Sequence, residues 1–501
     1  MDTFMEEIKS VKISSHLKEN VDYMNNLIGV GTSWDVLAKP FNFSNVSMMS
    51  YTTNGYFLTM NMVLILENLE ASIHSFIANS EKDFPLEKLA DYLNTNVAFV
   101  QVQPVPKMFD AVRFILSGAL IIFIEGYDQA LLIDTRIYPM RSIQAPMTER
   151  LIRGPHDGFT ETMLMNTALI RRRLRDPRLR VELMQIGSRS QTDLSFMYLD
   201  DVANKDIVDN IRNRLKSIPA DAVCMGEQSV TEWIAKTKWN PYPIVRYTER
   251  PDVAATALIE GQVVIVVDNS PEIIIAPITL FQHLQHPHEY HSYPLFGTYM
   301  RWIILLSVIG STLLPGVFLL VNQYPHWVPS WMTFFRADRT YPLPLWAELL
   351  LGEIFIDILR LAVINTPPVL GSAVSILASI VFGQFASHIH LMQPEVLVYI
   401  AVVVIMEFAT SSYEVAEANQ MVRIGLLIIT SVGRKWGFLV GVIAIFVLLA
   451  RTKSFGVPYL WPLIPFKWRN GLSEVILRRP MIDISGRPTV LSPKKKKRKG
   501  S

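Results

Sequence analysis

The segment Leu345–Ile364 is apolar enough for a membrane helix, yet it carries Glu348, Glu353, Asp357 and Arg360. Glu353 and Asp357 are four residues apart and Arg360 follows by three, so a helix puts all three on one face. A carboxylate in hydrocarbon is costly, and such groups usually face a bundle interior or a water-filled path. A neighbouring arginine offsets part of that cost. Two readings stay open: an ion path or gate, and a structural ion pair that locks a bundle. Glu407, near the end of another apolar run, reads as an interfacial residue.

A second pattern lies in Gly371–Ser387, where Ser372, Ser375, Ser379 and Gly383 recur at three- and four-residue steps beside Gln384. Small residues let helices pack closely. In a ring of subunits the same hydroxyls could line a wet pore and replace part of an ion's hydration. Spacing alone favours packing. Farther upstream, HLQHPHEYH holds His283, His286, His288 and His291. Histidine clusters can bind zinc, but Pro287 interrupts the segment and no ligand geometry follows. A pH-sensitive or merely polar stretch is the simpler reading, and no metal is expected. No nucleotide-binding, metalloprotease or nucleophile-elbow motif is present, so neither an enzyme nor a cofactor is expected.

These residues sit in a chain of 501 residues, half of them hydrophobic, with a net charge of only +2. Bulk charge therefore points to no particular partner, and nucleic acid is not expected as one. The single cysteine, Cys224, excludes an internal disulfide and a cysteine-built zinc site. It reads as a small buried apolar residue. Met1–Asn20 is charged and lacks the apolar core of a signal peptide, so the N-terminal region is expected to stay where it is made. The hydrophobic excess is C-terminal. Trp302–Val321, Leu345–Ile364, Gly371–Ser387, Val396–Thr410 and Arg423–Ala450 are candidate spans, giving about four to six crossings of a core ~30 Å thick. The last is broken at Gly433-Arg434-Lys435-Trp436 and reads either as one tilted span or as a hairpin of two half-helices.

Six regions follow. Residues 1–27 form a helical segment and 28–140 a first α/β subdomain, in which Ala119–Glu125 and Ala130–Asp134 flank a hairpin turn. Residues 141–180 are a connector rich in Arg, Pro and Gly. Residues 181–290 form a second α/β subdomain, with Pro251 suited to a helix first turn. Residues 291–455 form an all-α membrane region, and 456–501 a basic tail ending in the run Lys494–Lys499. That run reads as attraction to anionic lipid or as a solvated tail. No internal repeat is visible.

The connector reads RSIQAPMTERLIRGPHDGFTETMLMNTALIRRRLRDPRLR, and this resembles the signature of the GerA family, the A subunits of spore germinant receptors. NPYPIVRYTERPD at Asn240–Asp252, DNSP at Asp268–Pro271, FGQ at Phe382–Gln384 and SFGVPYLWPLIPF at Ser454–Phe466 extend the likeness from about residue 110 onward. TDLSFMYLDDVA, VRYTERPDVAA and VPYLWPLIPF are most similar to the stage V sporulation branch of that family.

The resemblance implies two cytoplasmic α/β subdomains and a multi-span region in the spore inner membrane, in contact with membrane lipids. It implies a homo-oligomeric ring, a pentamer, that conducts ions when germination is triggered, in company with other germination membrane proteins. It also makes Gly371–Ser387 the pore-lining segment, which moves the reading of Ser375 and Ser379 toward pore lining. The connector's Arg153, Gly154, Pro155, Asp157, Gly158, Glu161, Asn166, Arg171, Arg172 and Arg173 would couple soluble and membrane parts, with glycine turns at 154 and 158 and Glu161 pairing with an arginine that follows. Two rivals remain: a non-conducting scaffold or sensor that recruits other germination proteins, and a secondary transporter. This chain departs from the family in having Ser411-Ser412-Tyr413 where Pro-Ser-Tyr is usual, and in its four-histidine segment.

Overall fold

The computed structural model describes residues 8–43, 45–79, 88–96, 102–137, 146, 149, 153–236, 239–329, 336–337, 341–366, 376, 380, 388, 390–483 and 486–497. After helix α1 (Leu17–Ile28), strands β1 (Val36–Phe43) and β2 (Val46–Thr53) form a hairpin. Helices α2 (Thr59–Asn79) and α3 (Leu89–Asn96), strand β3 (Val102–Val105) and helix α4 (Met108–Ile115) follow, and then the hairpin β4 (Leu120–Ile124) and β5 (Ala130–Ile133). The sheet order is β1-β2-β4-β5-β3, antiparallel throughout. β4 and β5 are buried at every position. Their unbroken apolar runs fit strands covered on both faces.

Helix α5 (Met163–Arg173) leads into the second unit. There β6 (Leu179–Ile186) and β7 (Thr192–Leu199) precede α6 (Lys205–Lys216) and α7 (Gly226–Ala235). β8 (Arg246–Thr248), α8 (Pro251–Glu260), β9 (Val263–Val267) and β10 (Ile273–Ala276) complete it, in the order β6-β7-β9-β10-β8. The two units thus share one succession of elements and one strand order, a duplication that the sequence does not reveal. Shared topology needs only matching positions of strands and turns, not matching side chains. Pro251 occupies the first turn of α8. Cys224 is exposed, contrary to its sequence reading, because Val223 beside it takes the core position.

Two short helices, α9 (Leu280–His283) and α10 (Pro287–Tyr290), lead to α11 (Pro294–Gln323), α12 (Leu345–Asn365), α13 (Pro394–Phe408) and α14 (Tyr413–Arg451). Among the described residues, only α11 and α14 are both long and apolar enough to cross a membrane. α14 is a hairpin rather than one rod. A straight helix of 39 residues would run about 58 Å. Instead Tyr242 donates to Asn419 near its start (3.1 Å) and Asn240 donates to Thr452 just past its end (2.9 Å). The chain reverses at Arg434, with φ 49° and ψ −134°. Gly437 lies flat against the Ile429 carbonyl, where any Cβ would clash.

The tail is no loose extension. Strands β11 (Lys453–Ser454) and β12 (Val457–Pro458) and helix α15 (Ser473–Ile476) follow α14. Phe455, Val457 and Leu491 enter the core of the second unit. The Ser454 hydroxyl donates to the Ile244 carbonyl (2.7 Å) and accepts from Ile278 N–H (2.9 Å). Lys494 and Lys495 pair with Asp200 and Asp201. The sequence reading of this stretch as a lipid-directed or solvated tail is corrected for these two lysines, which meet protein carboxylates. Lys499 lies outside the described residues.

Candidate functional site

Arg423, on the first arm of α14, is almost fully buried. Its Nη2 donates to Glu353 of α12 (2.6 Å) and to Glu407 of α13 (3.1 Å), and Nη1 donates to the Ser311 carbonyl of α11 (3.0 Å). Arg360 of α12 reaches Glu407 (2.5 Å) and the Gln420 side chain (3.2 Å). Gln420 in turn donates to Asp357. One guanidinium thereby joins four helices, and a second closes the ring of contacts. Along α11, Ser311 lies ten residues past Arg301, about 15 Å, so the network sits deep within the bundle.

Glu353, Asp357 and Arg360 are therefore brought to one locus, as their spacing predicts, but their partners are on other helices. Glu407 is corrected from an interfacial residue to a buried member that accepts from both arginines. Arg423 and Gln420 were missed. Arg423 opens the last apolar run, and an arginine at a run's edge reads as a boundary. Its spacing of three from Gln420 was the available signal. Glu348 sits apart, accepting from the backbone (2.9 Å) and side chain (3.0 Å) of Gln393. Ser372, Ser375, Ser379, Gly383 and Gln384 lie outside the described residues.

α12 and α13 run parallel. Their starts meet at Glu348–Gln393 and their ends at Arg360–Glu407. The Ser411 hydroxyl, just past α13, donates to the Leu284 carbonyl, so that end faces the soluble units. At the other end, Lys435 at the hairpin tip lies over the rings of Tyr324 and Trp436.

The connector is clamped by arginines on both sides. Arg171 is buried and donates twice to Asp35 of the first unit (2.8 and 3.1 Å), and to the Asp176 and Leu179 carbonyls. Arg173 takes both oxygens of Asp157 (2.6 Å each), so the expected pairing of an arginine with Glu161 is replaced by one with Asp157. Glu161 contributes its carbonyl, which accepts from Asn269 N–H (2.8 Å). Asn166 bonds the Thr160 backbone in both directions. Asp268, in the DNSP turn, accepts from Met163 N–H at the start of α5. The Pro155 carbonyl accepts from buried Arg250, whose Nη1 donates to the Glu149 carbonyl. Gly154 has φ 125° and faces the His291 ring, where a Cβ would come within 2.9 Å. Gly158 is buried without a positive φ, so only Gly154 is a glycine-dependent turn. Arg153 and Arg172 are exposed, and Arg172 has a partner.

The histidines separate. His283 is fully buried, and burial drives its pKa down to about 3, so the ring is neutral. The His286 ring accepts from His288 N–H. His291 approaches Asp252 at 3.7 Å. Among the described residues no metal-ready cluster of His, Cys, Asp and Glu occurs.

Two helices long and apolar enough to cross a membrane, fastened to their neighbours through buried charge and joined to a duplicated α/β module, fit the class of membrane proteins. The profile described as Bacillus/Clostridium GerA spore germination protein matches residues 22–490. Stage V sporulation protein AF of Bacillus subtilis (strain 168) is 37% identical over 98% of this chain and 98% of its own length. Spore germination protein KA of the same organism is 33% identical over 77% of this chain and 71% of its own. Uncharacterized membrane protein YfkQ, also from that organism, is 28% identical over 97% and 94%. Among solved structures, the N-terminal domain of the A subunit of the Bacillus megaterium spore germinant receptor GerK3 aligns with 53% of this chain and 96% of that one, at 25% identity and a TM-score of 0.41. The chain belongs to the GerA family of spore germination proteins.

Proposed function

We propose that the chain is one subunit of a homo-oligomeric, ion-conducting complex in the spore inner membrane, with both soluble units and the tail in the cytoplasm. The parallel arrangement of α12 and α13 carries this reading. α12 and α13 are held together at both ends, and the segment that carries the serine stripe lies between them in sequence. The tail docks back onto the second unit, which fits an even number of crossings. Exposed apolar side chains on the bundle, such as Leu306, Ile358, Ile405 and Phe446, suit lipid or neighbouring copies.

The charged residues act as a lock in this scheme. Glu353, Asp357, Arg360, Glu407 and Arg423 each have a partner on another helix, which fits fastening better than free passage. Ions would pass along Ser372, Ser375 and Ser379, with Gly383 and Gln384 at one end. A pentameric ring, partnership with other germination membrane proteins and the absence of enzymatic activity belong to the same proposal. Conductance of the full-length protein in planar bilayers, alone and with its membrane partners, tests it. Current that Ser379→Phe abolishes while the oligomer persists supports the pore. A silent bilayer above a well-formed oligomer in both preparations would favour a scaffold instead.

A further inference from the structure

Away from the charge network, a cavity of about 350 Å³ lies where α8, the α10–α11 junction and the tail around α15 meet. That volume falls in the range of small-molecule sites. Val253, Ala257, Val475 and Leu477 give it apolar walls, and the buried guanidiniums of Arg301 and Arg478 give it charge.

The two arginines differ in their partners. Arg301 holds the buried Glu289 through bonds of 2.8 and 2.6 Å. Arg478, only 7% exposed, has no carboxylate of its own among the described residues. It donates to the Tyr290 carbonyl (3.2 Å) and lies 5.7 Å from the Tyr290 ring centre, and its Nε has no hydrogen-bond partner. One carboxylate thus serves two guanidiniums. The other acids of the wall are engaged: Asp252 by Arg250, Glu474 by Arg479, and Glu260 also has a partner. A buried cation left unmatched is costly, and an anion relieves it. The guanidinium fork suits the oxygens of a phosphate. Tyr299 and Trp302, exposed beside Arg301, mark the depth at which headgroups lie.

We propose that this cavity binds a phosphate ester with an apolar portion, its phosphate on Arg478 and its apolar part between Ala257 and Leu477. Such a group comes either from an anionic phospholipid or from a free phosphate ester. The test is calorimetric titration of the full-length protein in detergent with dihexanoylphosphatidylglycerol and, separately, glycerol 1-phosphate. Arg478→Gln should weaken binding at least about ten-fold, the loss of one charged hydrogen-bonded contact. Thr256→Trp, on the exposed side of α8 at the cavity, should abolish it by filling the space without touching the core. Unliganded thermal midpoints report whether each variant folds. Saturable binding of the lipid alone identifies a headgroup site, and binding of both probes identifies a phosphate-ester site open to the cytoplasm. Saturable binding of neither, or equal affinity in wild type and a folded Thr256→Trp, would overturn the proposal.

Discussion

Replacing Arg423 by leucine removes three hydrogen bonds at once, strands the buried Glu353 and leaves Glu407 with Arg360 alone. Each bond to a charged group contributes about 1.5–3 kcal/mol, but losses in one network do not add. Breaking a buried pair costs about 3–5 kcal/mol, and Arg423→Leu is expected to lose that much. Unfolding of the purified chain in mixed micelles, titrated with a denaturing detergent, reads the difference. The companion variant Glu353→Gln/Arg423→Leu leaves Glu407 on Arg360, strands no carboxylate at Glu353 and should recover at least half of the loss. Arg423→Lys keeps the charge but not the fork, and should fall between. A loss below about 1 kcal/mol, the range of exposed ion pairs, would refute the picture of a dry, interlocked site. So would a double variant no more stable than Arg423→Leu.

Arg171→Met strands buried Asp35 between the two soluble units; a loss of about 3–5 kcal/mol is expected, with faster amide exchange at Trp34, whose N–H donates to Val181. Gly154→Ala puts a Cβ at φ 125° against His291, and the thermal midpoint should fall by the equivalent of about 1–3 kcal/mol. Glu272 has its pKa pushed up to about 7, first by burial and then by Glu227, Glu249, Glu414 and Glu149. A raised folded-state pKa means a contribution that is intact below the ordinary carboxylate pKa and lost as pH climbs toward 7. Glu272→Gln should therefore melt above wild type at pH 8 and close to it at pH 4; a constant gap across that range would contradict the assignment.

Local signals were legible where a residue type has one mechanical use. The turn Gly126–Gln129 does join β4 and β5, and Pro251 does begin α8. The strands flanking DNSP appear as β9 and β10. Long-range pairing was not legible. Arg171 could be read as basic, but nothing near it in sequence points to Asp35, 136 residues away. The duplication was hidden because strand order constrains pattern rather than identity. In the bundle, helical spacing gathered Glu353, Asp357 and Arg360 onto one face, yet it is silent on which neighbour that face meets. The reversal at Arg434 was left open because a charged break in an apolar run fits a tilted span and a hairpin alike.

The tail's insertion into the second unit sets an order of assembly. Ile278 N–H and the Ile244 carbonyl wait for Ser454, and the core beside them waits for Phe455, Val457 and Leu491. Ser454, Phe455, Val457 and Leu491 emerge from the ribosome after every helix of the bundle. The second unit therefore stays open, with apolar surface and a bare backbone donor, while the bundle inserts. A chain cut short near residue 450 cannot deliver the closing strands. Its second unit keeps apolar surface exposed, the condition that favours aggregation. Closure of the second unit is thus the last step of its folding, and it depends on residues that follow the helical bundle in sequence.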